Sequence, residues 1–545
     1  MKRTAQTITR GFLILSVANI SVKLISLVFV PLIKHLLNGY AGYSVYSSAY
    51  SVYAFVYVIA TAGFPVAISK IVSELSAKKQ SDDAKRAFSI ATRLLVALGF
   101  VLTVVIMACA KPLARLLSNK DSWAGIMVLG PTVFVCAVLS GFRGYFQGRR
   151  NMRPTAVSQI IEQIVHVLFS AAGVLLLRSK GIVWAVAGAS LGTFAGSLVA
   201  LAICLIEYKS DRVEFAQQID HEKELRTAGH KGLTDSDLVK KILFYSLPLF
   251  ISSAVQFGGD LIDNGMIKSS LLRAGFEESS AKILHGQYMA MRQLINVPGS
   301  LATALCVSVL PAITLAFAEN NMRDVSKKSQ NAFKLCYMAA VPIAAIYAVF
   351  SGPIYRVLGY GDNIILLSLS SFSVVFLCTV HLQSSILQGV NKFYTSSAFM
   401  CLCVILKAVL NYVLVGIKGL NIYGAIIATY VSYLIPLLLN LYVMKKRAGI
   451  RFSIIRAFAP TVAASATGVL IGYPVYALLR FVIRFAAKGY ISYLIAIIPA
   501  GIVTLVVYYV SLRKLGGLTS KDLGEMSPKI RSALGKADRF FKIKN

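Results

Sequence analysis

Three basic side chains lie where an apolar chain should carry none. Lys23, Arg292 and Lys407 each fall inside a long hydrophobic stretch. A charge at mid-bilayer costs roughly 2.5–3.5 kcal/mol on insertion scales, so such a residue is retained where an acid, water or a ligand meets it. The chemistry these three offer is anion binding, and the planar fork of an arginine suits phosphate. Arg292 stands six residues before Pro298, and Asn411 is one turn from Lys407. Two acids, Asp260 and Asp263, share a helical face at i, i+3 and can pair with Lys23 or Arg292 or hold a coupling cation. Glu162 and His166 share a face at i, i+4, and an arginine of 143–153 is within reach of Glu162 for a loop-anchoring ion pair. Tyr43, Tyr46, Tyr50, Tyr53 and Tyr57 recur every three or four residues, interleaved with Ser44, Ser47, Ser48 and Ser51. Such a hydroxylated stripe either lines a wet cavity, with Tyr50, Tyr53 and Tyr57 against a sugar, or glues helices together.

The elements that must position these groups are membrane spans. Of the 545 residues 57% are hydrophobic and 14% charged, against about 25% charge in an ordinary soluble chain. The apolar residues come in blocks of about twenty or more, the length that crosses roughly 30 Å of hydrocarbon. A net charge of +33 would point to nucleic acid in a soluble protein; here the preference for basic residues in cytoplasmic loops accounts for it, and no nucleic-acid partner is expected. The eight cysteines all lie in apolar blocks and read as small buried hydrophobes. The first apolar segment is too long for a signal peptide and is read as an uncleaved span.

Fourteen spans are expected, at about 11–36, 43–75, 87–110, 122–146, 155–178, 181–207, 241–268, 283–318, 331–352, 363–388, 394–417, 419–444, 456–480 and 489–512. With the N-terminus inside, the cytoplasmic segments hold 37 of the 56 Lys and Arg and the outer segments 13. That asymmetry places both termini in the cytoplasm. Lys70, Arg93 and Lys268 lie close enough to span ends to snorkel.

The chain also repeats itself. LSGFRGYFQGRRNMRPTAVSQIIEQI (139–164) has a counterpart in LQSSILQGVNKFYTSSAF (382–399), each a short polar turn between two apolar runs. The stretches from Pro65 and Pro311, and from Ala110 and Ser351, match in the same order. Each copy holds six spans, an even number, so the two copies are parallel repeats. The organisation read from this is a first lobe at 1–207, a polar cytoplasmic linker at 208–240, a second lobe at 241–446, two extra helices at 447–513 and a basic tail at 514–545. Within the tail, Arg531 to Lys544 has the pattern of a surface helix for anionic lipid.

No catalytic constellation appears: there is no phosphate-binding glycine loop, no H-E-x-x-H and no Ser/His/Asp set. The longest loop, about 33 residues, cannot hold an ATP-binding domain. No enzyme activity, cofactor or metal is therefore expected, and energy for any transport has to come from an ion gradient, the membrane potential or a partner.

GFRGYFQGRRNMRPTAVSQIIEQ, GFPVAISKIVSE and VPGSLATALCVSVLPAITLAF resemble the polysaccharide-export and lipid-flippase branch of the multidrug/oligosaccharidyl-lipid/polysaccharide (MOP) exporter superfamily, on the side of stage V sporulation protein B and the MurJ-like lipid II flippases. The resemblance implies an all-α polytopic bundle whose two six-helix lobes form a V around a cavity open alternately to either side of a bacterial plasma membrane. Cationic residues there would hold the diphosphate of an undecaprenyl-linked cell-wall precursor, and spans 13 and 14 would carry its lipid tail. Lys23 falls on a matching span 1 position; Arg292 stands one residue from its match, which Gln293 occupies; further cationic positions of the family read Phe29 and about Val58 here. The expected partners are the lipid-linked saccharide, the bilayer and cell-wall synthesis proteins, the chain itself being a monomer. Two other readings stand beside this one: a cation-coupled multidrug exporter, or a flippase for another lipid-linked polysaccharide unit, the first using Asp260 and Asp263. A non-transporting scaffold, with Lys23 in a structural pair, is the third.

Overall fold

The computed structural model describes residues 8–61, 63–224, 233–361, 363–483, 489–519 and 538. Among these residues the secondary structure is helical, without a strand, and twelve stretches are long and apolar enough to cross a membrane. The chain is an all-α polytopic membrane protein. It falls into two compact units, residues 1–289 with 408–422, and residues 290–407 with 423–545.

The first unit contains α1 (Ile8–Leu36), α2 (Tyr40–Thr61), α3 (Phe64–Ala77), α4 (Ser81–Ala108), the short α5 (Ala110–Leu116), α6 (Trp123–Gly148), α7 (Arg153–Leu177), α8 (Ile182–Glu224), α9 (Asp235–Arg273) and the start of α10 (Glu278–Ala318). The second contains the rest of α10, α11 (Met322–Val349), the short α12 (Ser351–Val357) and α13 (Ile364–Ser370), α14 (Ser373–Gly389), α15 (Phe393–Val415) as far as Lys407, α16 (Tyr423–Tyr442), α17 (Ile454–Ile483) and α18 (Tyr490–Lys514). The segments read as spans seven and eight are α9 and α10, 39 and 41 residues long. The stretch read as one span at 43–75 lies within one span-length apolar stretch, Tyr40–Ala77, built of two helices, α2 and α3, and Pro65 opens α3 in its first turn, where a missing N–H leaves no bond unmade.

The internal repeat is written in the backbone. Non-glycine residues with left-handed geometry close α3, α5 and α6 at or just beyond their last turns: Lys79 (φ 55), Ser118 (φ 52) and Arg150 (φ 56). Asn320 (φ 56), Gly359 (φ 62) and Asn391 (φ 59) close α10, α12 and α14, each 241 residues after its counterpart. The wrapping hydrogen bonds match as well: Asn151 N–H donates to Phe146 O at 2.9 Å, and Lys392 N–H to Leu387 O at 2.8 Å. These are helix C-caps, in which a left-handed residue turns the chain so that late N–H groups satisfy the last carbonyls. The residue types differ at every pair, but the turn is the same.

The GFRGYFQG turn is explained by what its side chains reach. Arg143 donates to Glu162 Oε2 at 2.6 Å and to Ser158 Oγ at 3.1 Å, tying α6 to α7. The Tyr145 hydroxyl donates to Asp211 Oδ2 at 2.6 Å, Arg149 lies 3.5 Å from the same carboxylate, and the Arg149 guanidinium stacks 4.2 Å from the Phe215 ring centre, which ties α6 to α8. Gly144 lets α3 approach: a Cβ there would stand 2.7 Å from the backbone of Pro65. Residues 208–224, part of the stretch read as linker, thus continue α8, because Tyr208, Asp211 and Phe215 have a ring cluster and a cation on α6 to bury against. The surface helix expected at Arg531 to Lys544 lies outside the described residues apart from Asp538, which pairs with Arg513 at 2.8 Å.

Candidate functional site

In the first unit the singled-out residues gather around α2, and the two faces of that helix do different work. One face carries the tyrosine ladder. Successive ring centres from Tyr43 through Tyr46, Tyr50 and Tyr53 to Tyr57 stand 6.2, 5.9, 5.5 and 5.6 Å apart. Tyr53 is buried, with its hydroxyl 3.5 Å from Cys136 Sγ; Tyr57 is half-buried; Tyr50 is exposed. The ladder is therefore wall at Tyr53 and open surface at Tyr50.

The other face of α2 is glue. Ser44 Oγ lies 2.8 Å from His285 Nδ1 of α10, and Ser48 Oγ donates to Asn264 Oδ1 of α9 at 3.0 Å. Asn119, just beyond α5, donates from Nδ2 to Ser44 O and to Ser48 Oγ, both at 3.1 Å. Lys268 completes this buried polar network, its Nζ 3.4 Å from Asn119 Oδ1 and 3.6 Å from Glu278 Oε1. Lys268 was expected to snorkel from a span end; it is fully buried, because an amide and a carboxylate meet its ammonium there. Nearby, Lys282 bridges Asp121 at 2.8 Å and Glu278 at 3.2 Å. The hydrogen bond from Lys282 holds the Glu278 carboxyl below its ordinary range, with the charges of Lys282 and Lys268 adding to it.

Asp263 is buried and accepts from Asn411 Nδ2 of α15 at 2.7 Å; Asp260, one turn earlier, is half-buried. Farther along, α9 runs on against α3 and α4. Gly63 is required there, since a Cβ would stand 2.2 Å from the Ser246 carbonyl oxygen. Arg86 donates to Asp235 at 2.5 Å, and the Lys70 ammonium sits 3.8 Å from the Tyr245 ring centre. Helix α9 is thus held along most of its length, at one end by amide and hydroxyl partners and at the other by ion pairs.

Lys23 is half-buried on α1, which packs along α7. Among the described residues it makes no ion pair and no hydrogen bond. Two turns on, Phe29 packs against Tyr46 and His166, with ring centres 5.9 and 4.5 Å away. An aromatic ring thus fills a position where the resembled family carries a cation. Glu162, on α7, has Arg143 as its partner.

In the second unit Lys407 meets a phenol. Lys407 is buried on α15 with its Nζ 5.9 Å from the ring centre of Tyr433 on α16, and Arg292, on α10, is half-buried. Tyr433 had no signal in the sequence, being one tyrosine in an apolar run. Nor did Asn119, Asn264 and His285, polar residues whose partners lie more than 70 positions away.

Fold and site together define a transporter-type bundle: long apolar helices, a duplicated half and charged groups inside spans. A family profile described as "Polysaccharide biosynthesis protein" matches residues 8–317, and the chain belongs to that family. The MatE profile matches residues 288–413. The chain is 25% identical over 543 residues to the lipid II flippase MurJ of Bacillus subtilis (strain 168), covering 95% of this chain and 97% of that protein. It is 26% identical over 454 residues to stage V sporulation protein B of the same organism, covering 81% and 84%. Among solved structures, a lipid II flippase MurJ in an inward closed conformation superposes with a TM-score of 0.62 at 14% identity, covering 92% of this chain and 99% of that one. An inward-facing multidrug resistance MATE family transporter of the MOP superfamily gives 0.60, also at 14% identity, covering 79% and 99%. The chain is therefore homologous to MurJ and stage V sporulation protein B and has the MOP fold.

Proposed function

We propose that this chain is a flippase that moves an undecaprenyl-diphosphate-linked cell-wall precursor, of the lipid II type, from the inner to the outer leaflet of a bacterial plasma membrane by alternating access. The observation that carries the reading is Lys23, a half-buried cation on a membrane helix with no ion pair or hydrogen bond among the described residues. A charge placed so is costly and persists where an anion visits it. Lys407, buried beside Tyr433, and Arg292, half-buried on α10, add two cations, and Tyr50 offers an exposed phenol to a saccharide. A relative that matches nearly end to end carries the name of a lipid II flippase.

In this reading the lobes 1–207 and 241–446 form the two arms of a V, the fourteen spans leave both termini in the cytoplasm, and the helices of 447–513 guide the lipid tail. The protein acts as a monomer beside cell-wall synthesis proteins. Its test is rescue of a cell depleted of its lipid II flippase, with outer-leaflet lipid II as the readout. Wild type should restore translocation. Lys23→Ala and Arg292→Ala should each abolish it at unchanged membrane levels, and Lys23→Arg should keep part of it. Rescue without loss in either alanine variant would remove the cations from the transport path.

A second reading, a cation-coupled exporter of the same superfamily, has Asp263 and Asn411 in its favour, since a buried carboxylate and amide 2.7 Å apart are the donor types a small cation takes. It predicts sodium- or proton-driven drug efflux that Asp263→Asn abolishes. Efflux without lipid II translocation would favour it over the flippase.

A further inference from the structure

The short helices α5 and α12 are counterparts in the two copies, and each carries an arginine at the same position of its last turn, Arg115 and Arg356. Arg115 is exposed on the surface of its unit. Arg356 is exposed too, but it stands beside the two helices that have no counterpart, α17 and α18, and with Ile364 of α13 these elements line an open cavity of about 510 Å³. Arg356 Nη1 donates to the Tyr493 hydroxyl at 2.9 Å. From α17, the Arg480 guanidinium lies 4.1 Å from the centre of the same ring. Tyr476 is a buried wall, and Tyr473 and Phe481 are exposed at the rim.

Two guanidinium groups braced on one phenol repel each other. Among the described residues neither has a carboxylate partner, and the stretch from Ile454 to Lys514 contains no Asp or Glu at all. An anion bridging the pair would convert that repulsion into charge-assisted hydrogen bonds, and the paired forks of two arginines match the oxygens of a phosphate. The anion's source is indicated by the apolar surface of the same helices. Leu470, Leu478, Val482, Ile491, Ile495 and Ile498 are large apolar side chains exposed on α17 and α18, as hydrocarbon-facing residues are. A phosphate held at Arg356 and Arg480 therefore has room for acyl chains along those helices.

We propose that Arg356 and Arg480, braced on Tyr493, form a phosphate site for the headgroup of an anionic lipid at the junction of α12, α17 and α18. This site is separate from the cations within the spans; it lies at one end of the helices proposed above to guide the lipid tail, and phospholipid binding there is read without any transport. The test uses the full-length protein purified in mild detergent. Lipid retention is read by native mass spectrometry after titration with phosphatidylglycerol, with phosphatidylcholine, or with inorganic phosphate alone. Wild type should retain phosphatidylglycerol in preference to phosphatidylcholine. Arg356→Gln/Arg480→Gln should weaken that retention by about tenfold or more, as loss of charged hydrogen bonds does. Tyr493→Phe, which keeps the ring and removes the acceptor of Arg356, should weaken it less. If the double variant does not purify as a folded protein, Arg480→Gln alone carries the same expectation. Equal retention by wild type and variant overturns the site. Binding of inorganic phosphate with no preference for the anionic lipid overturns the headgroup assignment.

Discussion

At the scale of single residues, two kinds of intramembrane charge separate. Glu162 and Arg143 are partners at 2.6 Å with side chains 23% and 11% exposed, and Ser158 takes a further guanidinium N–H. Removing the acid alone leaves a largely buried guanidinium without its counter-charge. Glu162→Gln should therefore lower stability by roughly 1–3 kcal/mol, less than the 3–5 of a fully dry pair. Arg143→Met/Glu162→Leu should recover most of that loss, and thermal melting of the purified protein measures both. Lys23 is the opposite kind. No partner among the described residues depends on it, so replacing it relieves a desolvation cost and leaves no orphan behind. Its variants are expected to fold as well as wild type while failing in transport.

At the scale of elements, the latch between α2 and α9 stands out. Ser44, Ser48, Asn119, Asn264 and His285 form one buried polar group drawn from α2, α9, α10 and the residues beyond α5. A buried amide that loses its partner costs about 1–3 kcal/mol, and a network shares that loss among its members. Alternating access would require α2 and α9 to part here, so weakening the network should bias the protein toward the open state at this end. Asn264→Ala is expected to raise the rate at which a Ser44→Cys variant reacts with a membrane-impermeant maleimide by about tenfold, the equivalent of 1.4 kcal/mol. An unchanged rate, with the protein folded, would show that the network is static packing. The stripe of tyrosines and serines on α2 was visible as a pattern of 3.6 periodicity. Which face would be wall and which would be glue depended on the neighbours each face met.

At the scale of the whole molecule, the duplication is the organising fact. Capping turns recur at 241 residues with different side chains in each copy, so the chain's path repeats where its residues do not. The compact units do not divide at the connection between copies, because α9 is held by α2, α3 and α4 of the first copy through hydrogen bonds and ion pairs. The topology proposed for the duplicated chain is open to a direct check. A reporter active only in the cytoplasm should fluoresce when inserted within 225–232 or fused at the C-terminus. It should stay dark when inserted within 484–488. Fluorescence at 484–488 would reverse the orientation read from the basic loops.

Much of this was legible without coordinates for a simple reason. Hydrocarbon permits little besides apolar helices whose backbone is satisfied internally, so runs of apolar residues declare the class, and turns between them declare the repeat. The charges inside spans, Lys23, Arg292, Lys407, Asp260, Asp263 and Glu162, announced themselves by their cost. What composition and spacing left open was who meets whom. That Asp263 finds Asn411, that Lys268 is buried on Asn119 and Glu278, that Lys407 lies beside Tyr433, and that Arg356 donates to Tyr493 of α18 are consequences of helices distant in the chain packing side by side. An intramembrane polar group is defined by its partner as much as by its type. The partner is chosen by packing, which periodicity along one helix does not encode.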